Sequence, residues 1–216
     1  SRGPVKEGKI ELFAEINGLL KIDYLGLKTV NSFGQMMIAS RHGNFPVKKG
    51  DKLCGTRIIP LVIEKEKLKQ VKDSVLEATK GKPILSLLPF KKKKVGLITT
   101  GNEVFYGRIE DTFSPVIKAK FAEYQSEIFM HDTLDDNDKK VTASILKMIE
   151  AGCEVICCTG GMSVDPDDKT PLAIKNTNAT VISYGAPVLP GAMFMLAYFM
   201  KSDGSRVPIM GLPECV

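Results

Sequence analysis

The chain has 216 residues, 44% of them hydrophobic and 25% charged, with a net charge of +5, a composition that suits one large or two small globular domains with a real core. No apolar run approaches the roughly eighteen residues that cross a bilayer, and the opening SRGPVKEGKIEL lacks the basic-then-apolar layout of a signal peptide, so the protein reads as cytoplasmic and not membrane-bound. Five cysteines, an odd number with no C-x-x-C pair, argue for buried free thiols over a disulfide framework.

The charge is divided: residues 1–94 hold 20 Lys+Arg against 9 Asp+Glu, whereas residues 95–216 hold 10 against 16. Such asymmetry marks two parts with different tasks. The run KKKK at 91–94, with no tryptophan in the chain and no interleaved aromatics, reads as a solvated lead into a strand and not as a nucleic-acid site.

In chain order, the first 90 residues read as a smaller β-rich domain. KIELFAEI and GLLKIDYL flank Asn17-Gly18, a pair suited to a hairpin turn. FPVKKGDKLCGTRIIPLVI reads as strand, turn at Lys49-Gly50-Asp51, and a longer strand in which Pro60 points to an edge or bulge. Leu68, Val71, Val75 and Leu76 fall near helical spacing over residues 64–80, and GKP at 81–83 stops that helix. His42 has no second ligand candidate nearby and reads as structural.

From residue 91 the pattern changes. KVGLITTG is an unbroken apolar strand; Ser114 as N-cap and Pro115 at the first helical position open a helix bearing Ile117, Phe121 and Tyr124 on one face. EIFMHDTL is a second strand, and DDNDKKVTASILKMIEAG a helix with Val141, Ile145, Met148 and Ile149 facing inward. CEVICCTGG is a third strand, Thr170-Pro171 repeats the cap-then-proline start, and TVISYGAPV, AMFMLAYFM and RVPIMGLP follow as strands. Alternating buried strands and amphipathic helices predict an α/β domain with a mostly parallel sheet and helices on both faces.

Ligands of such sheets gather beyond the carboxyl ends of the strands, which picks out the loops TTGNEV, DTLDDND, TGGMSVDPDD and GLPECV. Gly101 lets backbone approach a ligand, with Thr99 and Thr100 supplying hydroxyls, and Glu103 can accept hydrogen bonds from a heterocycle or help hold a metal. In DDND, Asp136 or Asn137 can cap the helix, which leaves Asp135 to face the crevice. Gly160-Gly161 can align amides as an anion-binding concavity, Ser163 adds a hydroxyl, and Asp168 precedes the next helix. His131 lies beside Asp132 with no serine or cysteine partner that the sequence places, and reads as structural.

Four segments in this order carry a resemblance. TTGNEVFYGRIEDT, LDDND, TGGMSVDPDDKTP and GLPECV resemble the motifs of the molybdopterin-binding domain shared by MoeA, MogA and gephyrin, proteins of molybdenum cofactor biosynthesis. The resemblance implies a MogA-like domain over residues 91–216, with further family residues expected beyond Val216. It implies that Thr100, Gly101, Gly160, Gly161 and Ser163 line a pterin and phosphate pocket, that Asp111 and Thr112 match the family's Asp-Thr pair, and that Gly211, Leu212 and Pro213 form the last loop. Glu103, Asp135 and Asp168 would be its acidic, catalytic residues, contacting the pterin or placing magnesium and molybdate, with Asp135 and Asp168 as the metal ligands. The ligand would be molybdopterin or adenylated molybdopterin, with Mg2+ and molybdate where insertion is catalysed; a molybdoenzyme recipient and a homo-oligomer are expected.

This chain departs from the family at Asp165 for glycine, Phe113 for asparagine, and Glu214-Cys215 for the Gly-Asn of the last loop. A carboxylate near the expected site of an oxyanion weighs against insertase chemistry, so the residues support binding more than turnover. The alternatives are a non-catalytic cofactor chaperone and a CinA-like, metal-dependent ADP-ribose pyrophosphatase.

Overall fold

The strands before residue 90 and those after it fold as two units, Ser1–Phe90 and Lys91–Val216. The computed structural model describes residues 1–163 and 168–213. Asp165 and Asp167 of the third loop, and Glu214 and Cys215 of the fourth, lie outside the described residues.

The first unit runs β1 (Lys9–Phe13), β2 (Gly18–Ile22), α1 (Tyr24–Ser32), β3 (Met36–Ser40), β4 (Phe45–Val47), β5 (Lys52–Ile58), α2 (Lys65–Ala78) and β6 (Leu85–Pro89). It forms two three-stranded sheets, ordered β1-β5-β3 and β4-β2-β6. The hairpin expected at Asn17-Gly18 does not form, because β1 pairs with β5 while β2 pairs with β4 and β6. Asn17 instead accepts the Lys49 N–H at 2.8 Å, and a side chain on Gly18 would meet the Leu88 carbonyl oxygen at 2.4 Å. That glycine serves close strand approach, not a turn. Residues 24 and 25, expected as strand, open α1, whose cap is Asp23 accepting the Gly26 N–H at 2.9 Å. Pro60 falls beyond the end of β5, so it edges no strand.

The second unit runs β7 (Lys94–Thr100), α3 (Asn102–Phe105), α4 (Phe113–Glu123), β8 (Glu127–Leu134), α5 (Asp138–Glu150), β9 (Val155–Thr159), α6 (Thr170–Asn176), β10 (Thr180–Tyr184), β11 (Met195–Met200) and β12 (Arg206–Leu212). The sheet order is β10-β11-β12-β9-β7-β8. Strands β8, β7, β9 and β12 are parallel neighbours, and β10 and β11 add an antiparallel edge.

Alternation along the strands sorts the core into two layers. Val95, Leu97 and Cys157 pack with Ile117 of α4 on one face. Ile98, Ile156 and Cys158 pack with Val141, Ile145, Met148 and Ile149 of α5 and with Ala173 and Ile174 of α6 on the other. Gly96 lets α5 press close, since an added Cβ would stand 2.7 Å from the Met148 sulfur. The chain leaves β7 for β8 on one side and returns to β9 on the other. Right-handed crossovers then put α4 and α5 on opposite faces and leave a crevice where β7 and β9 end.

Candidate functional site

Two turns define the crevice. After β7, Gly101 takes φ +139; after β9, Gly160 and Gly161 take φ +86 and +56, a region open to glycine at little cost. The turns touch through backbone, for a Cβ on Gly160 would stand 2.0 Å from the Thr100 carbonyl oxygen. The Thr170 hydroxyl donates to the Gly160 carbonyl at 2.8 Å and lies 3.1 Å from the Thr100 hydroxyl. Thr170 was expected as a cap; it is the first residue of α6, and its hydroxyl locks the two turns together instead.

Between these turns lies a cavity of about 410 Å³ whose wall includes Thr100, Gly101, Glu103, Gly160, Gly161 and Asp168, all expected from the sequence. Its remaining lining adds Thr99, Val104, Ile109, Phe113, Asp136 and Thr159 among others. The acidic side chain of the second loop on this wall is thus Asp136, not Asp135. Asn137 caps α5, accepting the Lys139 and Lys140 N–H groups, which releases Asp136. Asp136 accepts the Asn102 N–H at 3.0 Å, and its other oxygen lies 3.8 Å from where a Gly161 Cβ would be. Asp135 instead pairs with Lys140 at 2.7 Å. The clue in the sequence was Asn137, as good a cap as aspartate.

Other expected residues stand around this cavity and not on its wall. Asp111 caps α4: its carboxylate accepts the N–H groups of Phe113 at 3.1 Å and Ser114 at 2.9 Å. Ser114, expected as the cap, lies inside the first turn, and its hydroxyl donates to Asp111. Thr112 is exposed at the start of that helix. Ser163 donates to Asp168 at 2.7 Å, and both border a neighbouring cavity with Lys175 and Tyr184. Gly211 and Leu212 pair with Cys158 and Thr159 on β9, and Gly211 leaves room for Met162, which an added Cβ would meet at 2.5 Å. Leu212 packs into the α4-side core, and Pro213 is buried just beyond β12.

Behind the wall sits a hydroxyl network absent from the sequence reading. His131 Nε2 lies 3.0 Å from the Thr99 hydroxyl and 3.2 Å from the Ser114 hydroxyl, and these hydroxyls are 2.9 Å apart. Burial would raise the Asp111 carboxyl, but hydrogen bonds from Ser114, Phe113 and Thr99 outweigh it and hold the group below its ordinary range. Burial pushes the His131 imidazole down, Lys118 adds to this, and Asp111 and Asp132 oppose it without reversing the direction. His131 thus has a serine neighbour after all. Asp111 reaches that serine and not the imidazole at hydrogen-bond distance, so the order of a nucleophilic triad is missing.

Among the described residues no three His, Cys, Asp or Glu side chains are grouped to hold a metal ion. Of Asp135 and Asp168, expected as a metal pair, only Asp168 lines the cavity, and Asp135 pairs with Lys140. The magnesium expectation therefore does not fit the described residues, and no chemistry is routed through it. Two buried polar atoms keep no hydrogen-bond partner among the described residues: the hydroxyl of Thr159, which lines the cavity, and Oδ1 of Asp135.

Fold and site together define an α/β ligand-binding protein whose crevice opens at the topological switch point between β7 and β9. A family described as "Probable molybdopterin binding domain" matches residues 96–215, and the chain belongs to it. The chain is similar to a "Putative competence-damage inducible protein" of Bacillus velezensis, 29% identical over 85 residues, 39% of this chain and 20% of that protein. A "CinA-like protein" of Prochlorococcus marinus subsp. pastoris is 30% identical over 94 residues, 43% of this chain and 22% of that one. The chain thus spans about a fifth of the length of these curated relatives. In fold it is similar to the "tungsten cofactor synthesizing protein MoaB" of Pyrococcus furiosus, with TM-score 0.50 and 21% identity over 57% of this chain and 82% of that one. No helix among the described residues is long and apolar enough to cross a membrane.

Proposed function

We propose that the second unit binds molybdopterin or an adenylated form of it in the crevice between β7 and β9, and serves the assembly, metal loading or delivery of the molybdenum cofactor. The observation that carries this reading is the meeting of the Gly101 and Gly160-Gly161 turns, with Glu103, Asp136 and Asp168, around one cavity. Glycine backbone lets a flat ligand approach closely, and carboxylates accept from its N–H groups. In this role the residues bind and orient. The expected roles of Thr100, Gly101, Gly160, Gly161 and Asp168 as ligand contacts belong to this reading, as do molybdate as cargo, a molybdoenzyme recipient and a homo-oligomer.

A second reading is favoured by the names of the curated relatives, competence-damage inducible and CinA-like proteins: metal-dependent cleavage of ADP-ribose. Mass spectrometry of the small molecules that copurify with the protein, repeated after supplying molybdate and magnesium, tests the first reading. A bound pterin supports it. Release of AMP from ADP-ribose on adding a divalent metal, with no pterin bound, overturns it in favour of the second.

A further inference from the structure

The carboxylates and the apolar side of the cavity together bear on which part of a ligand enters it. Glu103, Asp136 and Asp168 line it, and no lysine, arginine or histidine does among the described residues. The Asn102 N–H, a donor to which a ligand phosphate would turn, already donates to Asp136 at 3.0 Å, and Asp136 N–H answers to the Asn102 side chain at 3.5 Å. The other Asp136 oxygen faces Gly161. A carboxylate is therefore already bonded to the first glycine turn and stands near the second, and a phosphate brought there meets like charge.

The same cavity is lined by three apolar side chains, Val104, Ile109 and Phe113. Phe113 stands where the resembling family often has asparagine. Its side chain packs on the core of Val95, Leu97 and Ile117 while lining the cavity, and its N–H is fixed by Asp111. A held aromatic ring offers a stacking face to a flat heterocycle.

Resting on the pterin reading above, we propose that the cavity takes the ring of its ligand and not the phosphate: the ring stacks on Phe113 and presents two adjacent N–H donors to Asp136. A 2-amino-4-oxo pyrimidine edge, as in a pterin or guanine, supplies that pair and matches both oxygens of a carboxylate. Adenine has no such pair of neighbouring donors. Phe113 and Asp136 are then specificity-determining residues, and the anionic remainder of the ligand points out of the cavity.

The test titrates the whole protein with 6-hydroxymethylpterin, guanosine, adenosine and inorganic phosphate, following pterin fluorescence and the proton shifts of the ring. The expected result is that the pterin binds with upfield-shifted ring protons, guanosine competes, and adenosine and phosphate compete poorly, with or without magnesium. Phe113→Leu keeps an apolar side chain against Ile117, and should lose about ten-fold in pterin affinity together with the upfield shift. Phe113→Asn should lose at least as much. Phosphate competing with the pterin, adenosine competing as well as guanosine, or unchanged affinity in Phe113→Leu each overturns the inference and leaves a pterin-binding crevice standing. Failure of every ring compound to bind overturns both.

Discussion

Gly160 is the position where one methyl group should do most damage. An added Cβ would stand 2.0 Å from the Thr100 carbonyl oxygen and 2.9 Å from both its carbonyl carbon and its hydroxyl. The first of these contacts is backbone of a central strand, which cannot rotate away, so Gly160→Ala must push the ends of β7 and β9 apart. Overpacking of this kind costs about 1–3 kcal/mol, and the φ of +86 adds about 1–2 kcal/mol for an L-residue. The sum, about 2–5 kcal/mol, corresponds to a fall in melting temperature of about 6–15 °C at roughly 3 °C per kcal/mol for a chain of this size. Gly161→Ala is the control: its φ of +56 is one that other residues adopt, and the nearest atoms, at 3.0 and 3.3 Å, are the threonine hydroxyls of Thr170 and Thr100. It should cost only about 1–2 kcal/mol. Thermal unfolding followed by far-UV circular dichroism reads both. Equal melting of the two variants, or wild-type melting of Gly160→Ala, would refute the claim that the Thr100 carbonyl sets the spacing of the turns.

The remaining expectations concern the carboxylates, pH and the thiols. Asp136→Asn should weaken pterin binding by about ten-fold or more, the worth of a charge-assisted hydrogen bond, while Asp135→Asn changes it by less than about three-fold; the reverse order in a binding titration would return Asp135 to the crevice. Because the folded-state pKa of His131 is lowered, the unfolded chain binds more protons below about pH 6.5, and stability should decline as pH falls through that value. His131→Gln should flatten this slope in urea melts, and an unchanged slope would show that another group causes it. Asp111 is also held low, so its contribution is present above about pH 3.9 and is lost as pH falls further through the folded value; Asp111→Ala should cost about 1 kcal/mol at pH 7, as a lost cap does. Burial pushes the Cys157 thiol up to about 12 and Cys158 up as well, so peptide mapping after alkylation at pH 8 should find both unmodified in the native protein and modified after denaturation.

The amphipathic helices α2 and α5, the buried strands β7 and β9, the strand β8, and the change in character near residue 90 could all be read from the sequence, because each follows from spacing within a few turns of chain. The glycine turns were legible for the same reason: a backbone that must curl sharply after a buried strand asks for glycine locally. The antiparallel sheets of the first unit were not, since Asn17-Gly18 looks like a hairpin wherever it occurs, and only packing against Lys49 and Leu88 directs its two strands into different sheets. The same limit applied to side-chain roles. Asp136 and Asn137 in DDND, and the hydroxyls of Ser114 and Thr170, each had a sound local use as a cap. Which one caps depends on competition: Asn137 took the end of α5, which freed Asp136 for the crevice, Asp111 took the end of α4, and Thr170, inside α6, donates to Gly160. Sequence alone determined which chemistry this protein holds at the ends of its strands. Tertiary structure decided which carboxylate and which aromatic ring face the cavity, because a side chain's direction is settled by whatever partners from distant parts of the chain reach it first.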